Sequence, residues 1–193
     1  MDINEQIARR IAQLRDERGL SIDELAVRSE VSRAMIYRIE NGKSSPTAVV
    51  LNKIATGLGV LLPTLLGPGS YREARLQLRN PVSTKRSQVQ WQDPQTGYRR
   101  RTLTPATSGQ SMQLSEIRFP AGAKVTFENS FGAVQVHQQI WMLSGLMELR
   151  LGKETAHLGA GDCMAMTLDQ PISFHNPGKT EARYLVAVVR AGK

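Results

Sequence analysis

The apolar residues of this 193-residue chain change their period once. From Ile3 to about Leu66 they recur every three or four positions, the spacing that gathers them on one face of a helix. Ile3, Ile7, Ile11 and Leu14 make the first stripe, opened by the caps Asp2 and Glu5 and stopped by Gly19. Leu25, Ala26, Val31, Ile36 and Ile39 are the inward positions of two short helices. Leu51, Ile54, Ala55 and Leu58 mark a fourth helix ending at Gly59, and a short fifth is expected near Leu61 to Leu66, with Pro63 in its first turn. The helical period gives out at Gly67-Pro68-Gly69. After about residue 80 the chain reads as short runs between turns. Leu146 to Leu151 alternates apolar and charged, Gly159 to Asp162 turns, and Cys163 to Met166 is an apolar run. Asn176-Pro177-Gly178 turns again before a closing strand from Tyr184 to Val189. Short strands at such spacing predict a sandwich or barrel. The expected fold class is multidomain, with an all-α five-helix domain over 1–66, a linker over 67–80 and an all-β domain over 81–193.

The local chemistry is sharpest between the second and third helices. Ser21 and Glu24 have the spacing of a capping box, and Ser32 and Thr47 can cap the helices that follow them. Ser29-Glu30-Val31 is short enough to force the two helices to cross, and small Ala26 suits the close approach. Arg33, Ala34, Tyr37 and Arg38 are left on the outer face of the third helix. Arginine donates two hydrogen bonds to guanine, and a small alanine packs on a thymine methyl. Asn41, Gly42, Lys43 and Ser44 follow with the chemistry of phosphate contacts, which position without specifying. This is the arrangement of a helix-turn-helix that lays a recognition helix, residues 32–41, in the major groove of DNA. The plainer reading of each residue alone is a solvated helix face. The caps, the turn and the polar loop together favour DNA.

With its I-x-x-I-E-N-G-K-S-x-P run from Ile36 to Pro46, the segment 1–66 resembles the xenobiotic-response-element, or phage-repressor-like, helix-turn-helix domain. The resemblance implies base reading by Arg33, Ala34 and Arg38. It implies phosphate positioning by Ser32 and the loop after Asn41, with Tyr37, Lys43 and Ser44 as further candidates. Ile22 stands where many members carry Gln, a departure that bears on one phosphate contact.

Charge moves the attention away from that unit. The formal net charge is +8, yet residues 1–66 hold nine Lys/Arg against eight Asp/Glu, and 103–193 hold eight against seven. Residues 67–102 hold eight against two. Phosphate neutralisation adds affinity without sequence preference, so Arg72, Arg75 and Arg79, and the run Arg99-Arg100-Arg101, are candidates for gripping flanking DNA. The alternative is a solvated linker followed by an exposed strand edge. A single cysteine, no bilayer-spanning apolar run and no secretory pattern lead to the expectation of a cytoplasmic, nucleoid-associated protein with no membrane partner. Cys163, in its apolar run, is expected to be a small buried hydrophobe.

The turns of the second half resemble those of the cupin fold, a double-stranded β-helix or jelly roll. The matching stretches are Met142-Leu143-Ser144-Gly145, Leu158 to Asp162, and Pro171 through Gly178. Cupins that bind metal place His and Glu at fixed positions, which by match fall near Phe131 and Ala133 and on Gln138 and Ile172. None is a good ligand, whereas a catalytic metal needs about three protein donors. His137 and His175 would serve only in a register shifted by one. No metal, cofactor or enzymatic activity is therefore expected.

A barrel interior can still take a small molecule. Gln138, Ile140, Met142, Met164, Met166 and Ile172 are the candidate lining of an effector pocket, the alternative being a closed core. Trp141 and Leu143 point opposite to Ile140 and Met142, and a strand apolar on both faces implies cover on both. The resulting expectation is a homodimeric transcriptional regulator on a near-palindromic operator, held together by its barrel. Its rivals are a metal-dependent cupin enzyme with a DNA-binding appendage and an antitoxin-type regulator without effector.

Overall fold

A computed structural model describes residues 2–66, 82–105, 112–128 and 135–190. Arg72, Arg75 and Arg79 of the expected linker, and the positions Phe131 and Ala133, lie outside the described residues. The chain divides into two compact units, the second beginning at Gln90.

The first unit is five helices: α1 (Ile3–Asp16), α2 (Ile22–Ser29), α3 (Arg33–Glu40), α4 (Ala48–Gly57) and α5 (Leu62–Leu65). Each of the first four begins where a side chain takes up a free backbone donor. Asp2 accepts from the Asn4 N–H, Ser32 from Met35 and Thr47 from Val50. Ser21 and Glu24 form the reciprocal capping box. The inward stripes then close one core, in which Ile7, Ile11, Leu25, Ile36, Leu51, Ile54 and Leu65 have no exposed surface.

The turn between α2 and α3 sits one residue later than the sequence suggested. Helix α2 runs through Ser29, whose hydroxyl donates to the Leu25 carbonyl at 2.6 Å, and Glu30 makes the reversal in the left-handed region at φ +52°. The close approach also falls elsewhere. Ala26 is only half-buried, and the tight contact lies between Ser29 and Gly57 of α4. A Cβ on Gly57 would sit 2.9 Å from both the Cβ and the backbone nitrogen of Ser29.

The second unit is all-antiparallel. Strands β1 (Gln90–Gln92), β2 (Arg99–Thr102), β3 (Met112–Phe119), β10 (Ala182–Arg190), β5 (Val136–Ser144) and β8 (Cys163–Thr167) form a six-stranded sheet in that order. Strands β4 (Lys124–Phe127), β9 (Ile172–His175), β6 (Met147–Leu151) and β7 (Glu154–Leu158) form a second sheet of four. Strands β3 to β10 make the jelly roll of a cupin-type domain, and the β1–β2 hairpin widens its larger sheet beyond β3. Stacking of Phe174 on Tyr184, with ring centroids 6.4 Å apart, joins the inner faces of the two sheets.

Strand alternation sorts the side chains. One inward row crosses the large sheet as Trp91, Arg100, Ile117, Tyr184 and Met142, all buried. The next holds Thr102, Ser115, Val186, Ile140 and Met164. Two expectations fail here. Cys163 is exposed, because it pairs with Trp141 on the outward phase of β5 and β8. Leu146, read as part of the alternating strand, is exposed in the turn before β6.

Candidate nucleic-acid interface

The outer stripe of α3 is presented by a helix fixed at both ends. Ser32 caps its start, and Glu40 at its end accepts two hydrogen bonds from Arg15 of α1, from Nε at 2.8 Å and from Nη2 at 3.0 Å. Arg15 also donates to the Leu20 carbonyl. The side chains of Arg15 and Glu40 are only 15 % and 7 % exposed, so this pair is a charged, bidentate bolt between helices rather than a surface ion pair. The bond to Glu40 raises the guanidinium pKa of Arg15 above its ordinary value. Sequence reasoning missed this pair. Its members are 25 residues apart, and nothing in either local stretch marks them as partners.

Arg33, Ala34, Tyr37 and Arg38 are all exposed and lie at helical spacing on one face. Arg33 is not idle, since its Nε sits 2.8 Å from an Asp23 carboxylate oxygen, with both side chains about 70 % exposed. Such a solvated pair is worth little, so it orients Arg33 along α2 without locking it there. Beyond the helix, Asn41 donates to the Tyr37 carbonyl at 2.8 Å, and Gly42 takes φ +67°. The Lys43 ammonium lies 6.0 Å from the Tyr37 ring centroid, and Ser44 contacts the Met35 sulfur at 3.8 Å. Ser32 at the start of α3, and Asn41, Lys43 and Ser44 at and beyond its end, thus border the Arg33–Arg38 stripe, within which Tyr37 stands. Exposed guanidinium forks flanked by hydroxyl, amide and ammonium donors are what a duplex requires, with bases in the groove and phosphates on its rims.

In the second unit, alternation breaks the basic run 99–101 into two groups. Arg99 points outward to Glu181, which Arg118 also contacts at 2.9 Å. These two partners lower the Glu181 carboxyl pKa against the opposing effect of burial. Arg101 pairs with the buried Glu116, which Arg118 and Arg183 share. Arg100 points inward and is 7 % exposed. Nor is this strand an edge, because β2 lies between β1 and β3. Neither a free cationic patch nor a solvated edge describes this run.

Gln138, Ile140, Met142, Met166 and Ile172 are buried on the inner faces, with Met164 half-buried. Gln138 donates its amide N–H to the Met166 sulfur at 3.8 Å. His137 is exposed and touches the Thr167 hydroxyl at 3.4 Å, whereas His175 lies on the other sheet, 3.6 Å from Glu148. Exposed His157 reaches the same Glu148 at 4.0 Å. Among the described residues no three His, Cys, Asp or Glu side chains converge as a metal site. No helix among them is long and apolar enough to cross a membrane.

Comparison with known proteins bears on both units. The helix-turn-helix family profile matches residues 11–65. The HTH-type transcriptional regulator SutR of Escherichia coli is 48 % identical over 58 residues, which is 30 % of this chain and 33 % of that protein. The uncharacterized HTH-type transcriptional regulator y4dJ of Sinorhizobium fredii is 34 % identical over 68 residues, or 35 % of this chain and 88 % of that one. A crystal structure of an HTH_3 family transcriptional regulator from Vibrio cholerae covers 98 % of both chains, with 25 % identity and a TM-score of 0.77. The present chain spans only a third of the length of SutR, so that likeness concerns the helical unit.

Proposed function

The chain belongs to the helix-turn-helix family of transcriptional regulators, and on that premise we propose that it binds double-stranded DNA by sequence and acts through binding rather than catalysis. Residues 1–66 serve as the DNA-binding domain, 67–80 as a basic linker, and 81–193 as a cupin-type domain for dimerisation and small-molecule sensing. Arg33, Ala34 and Arg38 read base edges, while Ser32, Tyr37, Asn41, Lys43 and Ser44 hold the flanking phosphates. The observation that carries this reading is the outward stripe of α3 on a helix held by the Ser32 cap and the Arg15–Glu40 pair. A rigid helix gives its arginines a defined reach, which base discrimination needs.

Two copies would dock in successive major grooves about 34 Å apart on a near-palindromic operator, in the cytoplasm at the nucleoid. The outward row of half-buried Leu185, Trp141 (51 % exposed) and Cys163, beside the terminal strand β8, supports dimerisation through the barrel. An effector in the barrel would act only through unequal affinity for DNA-competent and incompetent arrangements. The test is selection from a pool of random duplexes with the full chain. The expected outcome is a two-fold-related consensus with half-sites about 10 base pairs apart. Recovery of duplexes with no common sequence would refute the reading.

A further inference from the structure

The inner face of the β-domain holds a charge that no carboxylate among the described residues pairs with. Arg100 is 7 % exposed, and its Nε is buried without a hydrogen-bond partner among the described residues. Directly beside it in the sheet, the hydroxyls of Thr102 and Ser115, which face each other across β2 and β3, are likewise buried and unpartnered. Three adjacent donors facing one interior are not the ordinary state of a protein core, where buried polar groups are paired almost without exception. A buried guanidinium without a counter-charge is destabilising. The carboxylates nearby are engaged elsewhere. Glu116 points to the opposite face, among Arg101, Arg118 and Arg183, and Asp93 is bound within the β1–β2 turn by Thr96.

The ionisable side chains that share this interior with Arg100 are the buried phenols of Tyr98 and Tyr184. Burial pushes the Tyr98 hydroxyl up to about 12 and that of Tyr184 well above its ordinary value, so both remain protonated donors. The same burial pulls the Arg100 guanidinium down, the expected strain on an unpaired cation. Next to these polar atoms lie broad aromatic faces: Tyr98 stacks on Phe119 with centroids 5.5 Å apart, and Phe119 lies 6.5 Å from Tyr184.

We propose that Arg100, Ser115 and Thr102 form the anion-recognising end of a ligand site inside the β-domain, and that its ligand is a small monocarboxylate with an aromatic or apolar body seated against Tyr98, Phe119 and Tyr184. A guanidinium receives a carboxylate through two parallel hydrogen bonds, and the two hydroxyls can donate to the remaining lone pairs. One cation balances one negative charge. A phosphate dianion would leave a buried excess. The site deepens the sensing role proposed above and rests on that reading for its consequence at the operator. It draws on the β1–β2 hairpin outside the jelly roll, whereas the Gln138–Met166 region lies on the far side of β10.

The test uses the full chain and three probes at equal ionic strength: benzoate, its neutral analogue benzamide, and inorganic phosphate. Benzoate in excess of its Kd raises the melting temperature by at least about 3 °C, by binding the folded state alone, and the other two do not. Arg100→Met, which replaces the unpaired charge with a side chain of similar length, melts no lower than wild type and loses the benzoate response. Ser115→Ala weakens benzoate binding several-fold while keeping the fold. No benzoate shift in the wild type, an undiminished shift in Arg100→Met, or an equal shift with benzamide or phosphate would overturn the site. Operator affinity, measured on the selected duplex with and without benzoate, separates the two proposals. An Arg100-dependent melting shift with unchanged operator affinity upholds the site and removes the sensing role. A different metabolite that alters operator affinity equally in wild type and Arg100→Met, with benzoate inert, upholds sensing and removes this site.

Discussion

Arg33 and Arg38 are the residues on which the DNA reading turns. Replacing either with alanine is expected to weaken binding by about 1–3 kcal/mol at particular base pairs and to relax choice there. Titration against a set of single-base operator variants checks this, and an equal loss on every variant would mean phosphate contact only. Glu30 offers a test of stability instead. Its φ of +52° is a conformation that opposes any side chain by roughly 1–2 kcal/mol, and its contact with Lys53 at 3.5 Å is too exposed to offset this. Glu30→Gly is therefore expected to stabilise the helical domain by up to about 1 kcal/mol after the extra chain entropy of glycine is counted. A lower midpoint in chemical denaturation would contradict it. The exposure of Arg33 on the outer face of α3 was legible because the apolar positions Ile36 and Ile39 fix which side of the helix turns inward. The conformation of Glu30 was not, since nothing about glutamate announces a left-handed backbone.

Between elements, the decisive contact is the one glycine makes room for. Alanine at position 57 would bring a methyl to 2.9 Å from the backbone of Ser29, which cannot swing aside as a flexible side chain would. Gly57→Ala is expected to destabilise by about 1–3 kcal/mol through overpacking, even though alanine favours a helix over glycine by about 1 kcal/mol. A net gain in denaturation midpoint would show that α2 and α4 separate freely. Helix starts were readable because a cap is a contact between residues two or three apart. The choice between Ala26 and Gly57 as the site of close approach was not, because it depends on which helix crosses which. The same limit applied to the Arg99-Arg100-Arg101 run, which composition alone presents as one cluster. The pleat of β2 sends its middle member to the opposite face from its neighbours.

For the molecule as a whole, the proposed dimer is the property most open to test. Trp141 is half exposed, so Trp141→Glu leaves the interior of the barrel undisturbed while placing a charge in the proposed interface. The expected result is a monomer in sedimentation at micromolar concentration. Operator affinity should then fall at least tenfold, through loss of the second half-site's contribution. A dimer that persists would put the interface elsewhere. The charge distribution fits a division of labour, since residues 1–66 carry almost no excess while 67–102 carry most of it. Of that excess, however, Arg99, Arg100 and Arg101 are paired or buried, which leaves Arg72, Arg75 and Arg79, together with the exposed Lys85 and Arg86, as the proposed source of non-specific grip.

The sequence by itself determined the two fold classes, the starts of the helices and the stripe of α3. All of these follow from periods of 3.6 and 2 residues and from contacts a few positions apart. Tertiary structure alone decided which side chains meet across the chain. It joined Arg15 to Glu40, turned Cys163 outward, and set Arg100 beside Ser115 and Thr102 with no counter-ion among the described residues. The physical reason is register. A strand's alternation states that neighbours face opposite ways, but only its pairing with distant strands says which way is in.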